Sequence, residues 1–429
     1  MKFNISALIL IFSLCLFSCK KETENQQNYL PIVFVHGLLG SGDSYEWMVK
    51  RFTSNGYPSD MIFTYDWNTV GGQTTNTPPL NNFIQKVLQQ TGHSKVHLVG
   101  HSLGGGLSFN FCKNELYATQ IASVSLIAPY ITDRTGFPAA TIPALNLWPD
   151  TDYVVTNGDS IPGARNVFVL NRDHNEMAAC DESFTEIYKL ITGKLPAQLT
   201  VTSEAKPIIS GKVVSFVENN SGAGAKVEVY EVDPLTGFRK TPAPIKTFIA
   251  KTDNSWGPMA ADPNAYYEFK VSTGKTGDRA LHYYREPFIH SDHLVYLRLY
   301  PQSNSIFNLV LSNVITVSST KAVGIFYSAS KALWLGRDEL SVNGVSLNSP
   351  TFTAPELNTV AMFLYDSNNN QNTDTTSVAL FNSFQSLKGI DFHFTVNASQ
   401  SNTYNYNGRI LHTPSWPSST EGIGVVVYE

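Results

Sequence analysis

The stretch Val96-His97-Leu98-Val99, followed at once by Gly100-His101-Ser102-Leu103-Gly104-Gly105-Gly106 and then by residues 107–113, constrains this chain more than any other. An apolar β-type run gives way to a helix-compatible segment with no room for a loop between them. Glycines stand on both sides of a single serine. A reversal that sharp tolerates only small neighbours, because larger side chains would collide with the adjoining strand and helix. It leaves the Ser102 hydroxyl exposed above the strand, at the start of the helix.

The surroundings supply the rest of a layered fold. From Tyr29 to about Leu195, apolar strands alternate with amphipathic helices, the pattern of a mostly parallel sheet with helices on both faces. Strands are expected at 32–35, 61–65, 96–99, 123–127, 143–147 and 167–170. Leu80, Phe83, Ile84, Val87 and Leu88 make one apolar helical face, as do Phe184, Ile187, Tyr188 and Ile191. The second of these helices can begin with Asp181 as N-cap and stop at Gly193, with Pro196 beyond it. This α/β domain therefore covers 29–196. Beyond it come short alternating runs rich in Val, Tyr, Thr and Phe, with no convincing helix, so the C-terminal region is all β. It is expected as a β-sandwich-like domain over 199–315, then a second β unit over 316–429 or the completion of the first. Residues 367–376 form a polar low-complexity loop.

With 429 residues, of which 42% are hydrophobic, the chain can fill more than one core. A net charge of only -5 and the lack of any Lys/Arg run exclude nucleic acid as an expected partner. Residues 1–19 have a basic start, a short apolar run and Leu16-Phe17-Ser18-Cys19 at the end, which reads as an export signal. Those last four residues resemble the lipobox of bacterial lipoproteins. The resemblance implies a lipid-modified Cys19, a tether over 20–28 and attachment to a membrane of the bacterial envelope. Two cysteines remain in the folded part, Cys112 and Cys180, which could form one disulfide or stay as two buried thiols. No cofactor motif and no metal-ligand spacing is found. His282, His290, Asp292 and His293 could be grouped as ligands but are better read as structural.

A serine hydroxyl is a weak nucleophile until a histidine removes its proton and an acid holds that histidine in the right tautomer. After a turn of this kind the expected chain order is Ser, acid, His. The strand at 167–170 empties into Asn171-Arg172-Asp173-His174, and His174 is the only histidine between His101 and residue 196. For the acid, Asp152 leads and Asp150 follows, with Asp133 and Asp159 as further candidates. Upstream, the strand at 32–35 runs into His36-Gly37-Leu38, where a second backbone donor for a developing oxyanion belongs. The expected N–H donors are those of Leu38 and Leu103. His36 and His101 are expected to be structural.

His36-Gly37-Leu38, Tyr65-Asp66-Trp67, Gly100-His101-Ser102-Leu103-Gly104, Asp152 ahead of Val154-Val155, and His174 before a terminal helix resemble the lipases of the α/β-hydrolase superfamily. The resemblance implies a Ser102–Asp152–His174 triad in a compact α/β-hydrolase, followed by an all-β C-terminal region. Ile209-Ser210-Gly211-Lys212-Val213, Trp256-Gly257 and residues 282–288 look like prokaryotic lipases with a β-rich domain that engages acyl chains. The implied activity is hydrolysis of carboxylic esters, most simply triacylglycerol. A carboxylesterase or polyester depolymerase is the alternative, and an inactive surface protein binding lipid or glycan is the more distant one. Substrate cover is expected from 69–79, from 132–142 or from the β region, and bond cleavage itself is expected to need only residues before 196.

Overall fold

The computed structural model describes residues 29–138, 140–156, 160–275, 278–300, 318–353, 359–376 and 386–429. The signal, Cys19, the tether and Asp159 lie outside the described residues. Six strands, β1 (Ile32–Val35), β2 (Ile62–Tyr65), β3 (Val96–His101), β4 (Ile121–Ile127), β5 (Ala144–Pro149) and β6 (Arg165–Val169), form one sheet in the order β2-β1-β3-β4-β5-β6. Every pairing in it is parallel. Helices α1 (Glu46–Ser54), α2 (Gln73–Thr91), α3 (Ser102–Lys113), α4 (Glu115–Ala118) and α5 (Asp181–Thr192) accompany it. Alternation along β1 sorts the core: Ile32 and Phe34 pack with Met48, Phe52, Phe184 and Ile187 of α1 and α5, while Val33 and Val35 pack with Leu80, Ile84 and Leu107 of α2 and α3.

This sorting also decides the cysteines. Cys112 lies in the α2/α3 cluster and Cys180 in the α1/α5 cluster, on opposite faces of the sheet, and both are buried free thiols. Two boundaries differ from the sequence expectation. Helix α5 is N-capped by Cys180, so Asp181 sits in its first turn, paired with Arg51. Helix α2 absorbs most of the segment 69–79, including Pro78 and Pro79. Thr75, Asn76 and Thr77 bond through their side chains to the carbonyls of Gly71, Gly72 and Gln73, in the turn ahead of the two prolines.

The C-terminal region is built on a nine-stranded sheet. From edge to edge its strands are Asp374–Thr375, Leu387–Asp391, Ala361–Tyr365, Gly324–Ser328, Ile423–Tyr428, Leu281–Arg285, Tyr266–Ser272, Lys226–Val232 and Lys246–Ile249. The last strand of the chain thus pairs with Leu281–Arg285 on one side and Gly324–Ser328 on the other, so a single sheet spans both parts of the region. Two smaller sheets, of three and four strands, flank it. Among the described residues no helix is long and apolar enough to cross a membrane.

Buried charges tie the two regions together. Lys50 Nζ of α1 lies 2.7 Å from Glu46 and 3.2 Å from Asp292, and also meets Glu429. Arg285 bonds Glu429 at 2.9 Å and approaches Glu46 at 3.3 Å. Arg298 reaches Asp43 at 2.7 Å, and Lys212 reaches Asp66 at 2.6 Å. Val214, Leu294 and Tyr296 of the β region join the α1/α5 core.

Candidate active site

The turn between β3 and α3 holds Ser102 at φ +55°, a left-handed backbone that a non-glycine residue adopts only at a cost of about 1–2 kcal/mol. Neighbouring glycines make it fit. A Cβ on Gly104 would stand 2.2 Å from Val35 O, and one on Gly100 would stand 2.5 Å from Gly104 O. The backbones of β1 and α3 therefore approach more closely than any side chain allows. Leu103 is the second residue of α3, in the first turn, where backbone N–H groups have no intrahelical acceptor.

His174 follows β6 and is buried, and the side chain of its partner is 6% exposed: His174 Nδ1 lies 2.8 Å from Asp152 Oδ2. The other oxygen of Asp152 accepts from the amides of Val154 (2.9 Å) and Val155 (2.7 Å). Burial pushes the Asp152 carboxyl up. The hydrogen bond and charge of His174, with the two amides, outweigh that and leave it below the usual carboxylate range. Asp150 does not approach His174 as a partner; its Oδ1 accepts from Asn171 N at 2.8 Å and braces the loop. Asp133 is tied to Thr135 in an exposed turn.

The two structural histidines have definite jobs. His101 Nε2 donates to the backbone carbonyl of His174 at 2.8 Å, the rings lying 4.8 Å apart. Burial, and then the nearness of His174, lower its pKa to about 3, so it stays neutral. His36 Nε2 accepts from Trp67 N at 3.2 Å while Nδ1 donates to Gly37 O at 2.9 Å.

Two residues from the β region that sequence reasoning did not single out hold this site. Asn219 donates through Nδ2 to Gly40 O at 2.8 Å and to Trp67 O at 3.2 Å, pinning the loop that carries Leu38. Arg337 donates to Glu176 at 2.8 Å and to Asp173 at 3.2 Å, on the loop that carries His174. The amide of Ala332 adds a 3.3 Å bond to Asp173.

Ser102 and His174 open onto a cavity of about 480 Å³. Leu38, Leu39, Tyr153 and Val154 line its hydrolase side. The opposite wall is one face of the nine-stranded sheet: Leu281, Tyr283, Ile325, Tyr327, Ala361, Phe363, Leu387, Ile423 and Val425. These alternate along their strands, as residues sharing a sheet face must. Neither 69–79 nor the described part of 132–142 contributes to the lining; the β region is the cover.

His282, His290, Asp292 and His293 each bond to separate partners. His282 bonds Glu268 and Glu421 O, His290 bonds Thr53 and Thr202, His293 bonds Ser210, and Asp292 bonds Leu294 N and Lys50.

Residues 31–158 match a family model described as the alpha/beta hydrolase fold, and residues 206–301 match the lipase C-terminal domain. The first match ends before His174, whose place rests on geometry. A lysosomal thioesterase, PPT2-B, of Xenopus laevis is 26% identical over 102 residues, 23% of this chain and 33% of that protein. The match thus spans a third of that relative. Carboxylesterase CesB from Bacillus subtilis is 12% identical over 39% of this chain and 86% of its own, with a TM-score of 0.31. MenH from S. aureus is 14% identical over 39% of this chain and 96% of its own, with a TM-score of 0.32. The chain has an α/β-hydrolase fold followed by a β-rich region, of which residues 206–301 match the lipase C-terminal domain.

Proposed function

We propose that this protein is a lipase that hydrolyses carboxylic esters of apolar acyl chains, triacylglycerol being the simplest natural substrate, through Ser102, His174 and Asp152. The observation that carries the reading is the 2.8 Å contact between His174 Nδ1 and Asp152, beside the same cavity that Ser102 lines. In this mechanism the neutral imidazole of His174 takes the Ser102 proton as the hydroxyl attacks the ester carbonyl. Asp152 holds the Nδ1–H tautomer and stabilises the imidazolium. The N–H groups of Leu38 and Leu103 receive the oxyanion. His174 returns the proton to the leaving alcohol, and water then releases the acid from Ser102 by the same steps.

The sheet face opposite Ser102 suits an acyl chain, since each methylene withdrawn from water contributes about 0.8 kcal/mol. Ala361→Phe, which narrows the cavity, should lower kcat/KM for long-chain esters far more than for acetate esters. A serine-directed phosphonate tests the whole reading. It should add to Ser102, located by peptide mass spectrometry, and abolish hydrolysis of a short p-nitrophenyl ester. Labelling elsewhere with activity lost, or full labelling with activity retained, would overturn it.

The envelope location belongs to the same proposal and rests on the composition of residues 1–19. Diacylglycerol on Cys19, with a second acyl group on its amine, would give the two or more chains that stable anchoring requires. Mass spectrometry of the mature N-terminus should find both, and an unmodified terminus downstream of Cys19 would exclude the anchor.

A further inference from the structure

The polar loop after the strand Ala361–Tyr365 reads Asp366-Ser367-Asn368-Asn369-Asn370-Gln371-Asn372-Thr373-Asp374, with Asp or Asn at every second position. Calcium-binding loops supply oxygen ligands in this rhythm, from the first, third, fifth, seventh and ninth residues, the seventh through its backbone carbonyl. In such loops the sixth residue makes a sharp turn, and here Gln371 has φ +61°. A rhythm and a turn alone would describe many polar loops.

What sets this one apart is a pair of buried carboxylate oxygens with nothing bound to them. Asp366 Oδ1 and Asp391 Oδ2 have no hydrogen-bond partner among the described residues. The two residues are only 5% and 0% exposed. A buried carboxylate oxygen left in that state is costly, because it has given up water without gaining a partner. Asp391 belongs to the loop's surroundings by contact: its other oxygen accepts from Ser367 N at 2.6 Å. It also stands directly opposite Asp374 in an antiparallel pair, where like charges repel. Tyr365 pairs with Asp391 on the other side, so Asp366 begins one residue beyond that rung. The neighbouring basic side chains meet other atoms of Asp366 and leave its Oδ1 atom free. Lys321 Nζ donates to the backbone carbonyl of Asp366 at 2.6 Å, and His393 Nδ1 lies 3.4 Å from the Oδ2 atom of Asp366.

We propose that this loop is a Ca²⁺ site, with Asp366, Asn368, Asn370, the Asn372 carbonyl, Asp374 and Asp391 as its ligands. Asp391 supplies the extra carboxylate that a calcium loop places at its twelfth residue, which in this sequence is Ser377. Amide and carbonyl oxygens combined with carboxylates suit the larger, flexibly coordinated Ca²⁺ better than Mg²⁺, which keeps its waters and demands an octahedron. Among the described residues, Glu46, Asp292 and Glu429 bring three carboxylates within 4.8 Å of one another, but Lys50 Nζ already lies among their oxygens. The ion would join the ends of strands Ala361–Tyr365 and Leu387–Asp391, whose Ala361, Phe363 and Leu387 wall the cavity.

The test is calorimetric titration of CaCl2 into the full chain after treatment with EDTA, paired with its thermal transition. One Ca²⁺ should bind and raise Tm. Asp374 and Asn370 are both exposed, so their replacement should leave the fold intact. Asp374→Ala should weaken Ca²⁺ about tenfold or more, and Asp374→Ala/Asn370→Ala should abolish binding and the Tm response together. No binding to the wild-type chain up to about 5 mM Ca²⁺, beyond the weakest such sites, would overturn the proposal. Wild-type affinity in the double variant would do the same. Neither readout depends on ester hydrolysis.

Discussion

Arg337 of the β-rich region donates to Asp173, the residue immediately before His174, across 3.2 Å. The same guanidinium holds Glu176, and the amide of Ala332 also bonds Asp173. The loop that carries the candidate general base is thus fixed from the β region, 164 residues further along the chain. Displacements near 1 Å can cost about 10²-fold in rate. Arg337→Leu should therefore lower kcat on a short soluble ester by about 10- to 100-fold with little change in KM. Steady-state kinetics on protein shown to be folded checks this, and an unchanged kcat would leave Arg337 with a purely structural role.

The two aspartates beside β5 should separate cleanly. Asp152→Asn removes the acceptor for His174 Nδ1, and should cost about 10⁴-fold in kcat because an amide favours the wrong tautomer. Asp150→Asn loosens one bond to Asn171 N and should cost less than about tenfold. A larger loss for Asp150→Asn would hand the acid role to that residue.

Acid should destabilise the protein through two buried neutral histidines. Burial lowers His97 to about 4 and His101 to about 3, both from the usual 6.5. Folded pKa values below the unfolded ones mean that this stability is complete above pH 6.5 and is lost as pH falls toward the folded values. Within that window each contributes a slope of about 1.4 kcal/mol per pH unit. His101→Gln, which keeps a donor for the His174 carbonyl, should flatten the dependence of urea unfolding on pH by that amount between about pH 4 and 6. An unaltered slope would mean that His101 titrates normally.

How far the sequence carried the reading follows from how local each contact is. The turn at Ser102 needs glycines at fixed offsets, so it is written in five consecutive residues. Asp152 stood out through the apolar pair after it, and the amides of that pair bind its carboxylate. Asn219 and Arg337 act across more than a hundred residues with no local pattern to mark them. The nine-stranded sheet was hidden for a related reason. Its strands share one alternating pattern, and only long-range pairing places Ile423–Tyr428 between Leu281–Arg285 and Gly324–Ser328. The start of helix α2 was hidden because its apolar face begins only at Leu80, and the turns at 73–79 carry no apolar periodicity.

The same interface makes the hydrolase half dependent on the β region. A chain ending at residue 198 would strip Asp43 and Asp66 of Arg298 and Lys212, and would leave Lys50 and Glu46 with only each other in place of the wider network. Water would hydrate the charges so exposed, and the loss falls mainly on apolar contacts such as those of Val214 and Leu294 with the α1/α5 core, each about 1.5–3 kcal/mol against a total stability of about 5–15. Such a truncation should show no cooperative thermal transition. A folded, active fragment would mean that the interface contributes far less than its buried contacts imply.

The most direct test of the account is the turnover of Ser102→Ala on a short p-nitrophenyl ester, measured on protein whose thermal transition matches the wild type. The account predicts a loss of about 10⁶-fold in kcat, with His174→Ala equally impaired and the double variant no worse, because triad members act as a unit. Turnover near the wild-type level in folded Ser102→Ala would contradict it.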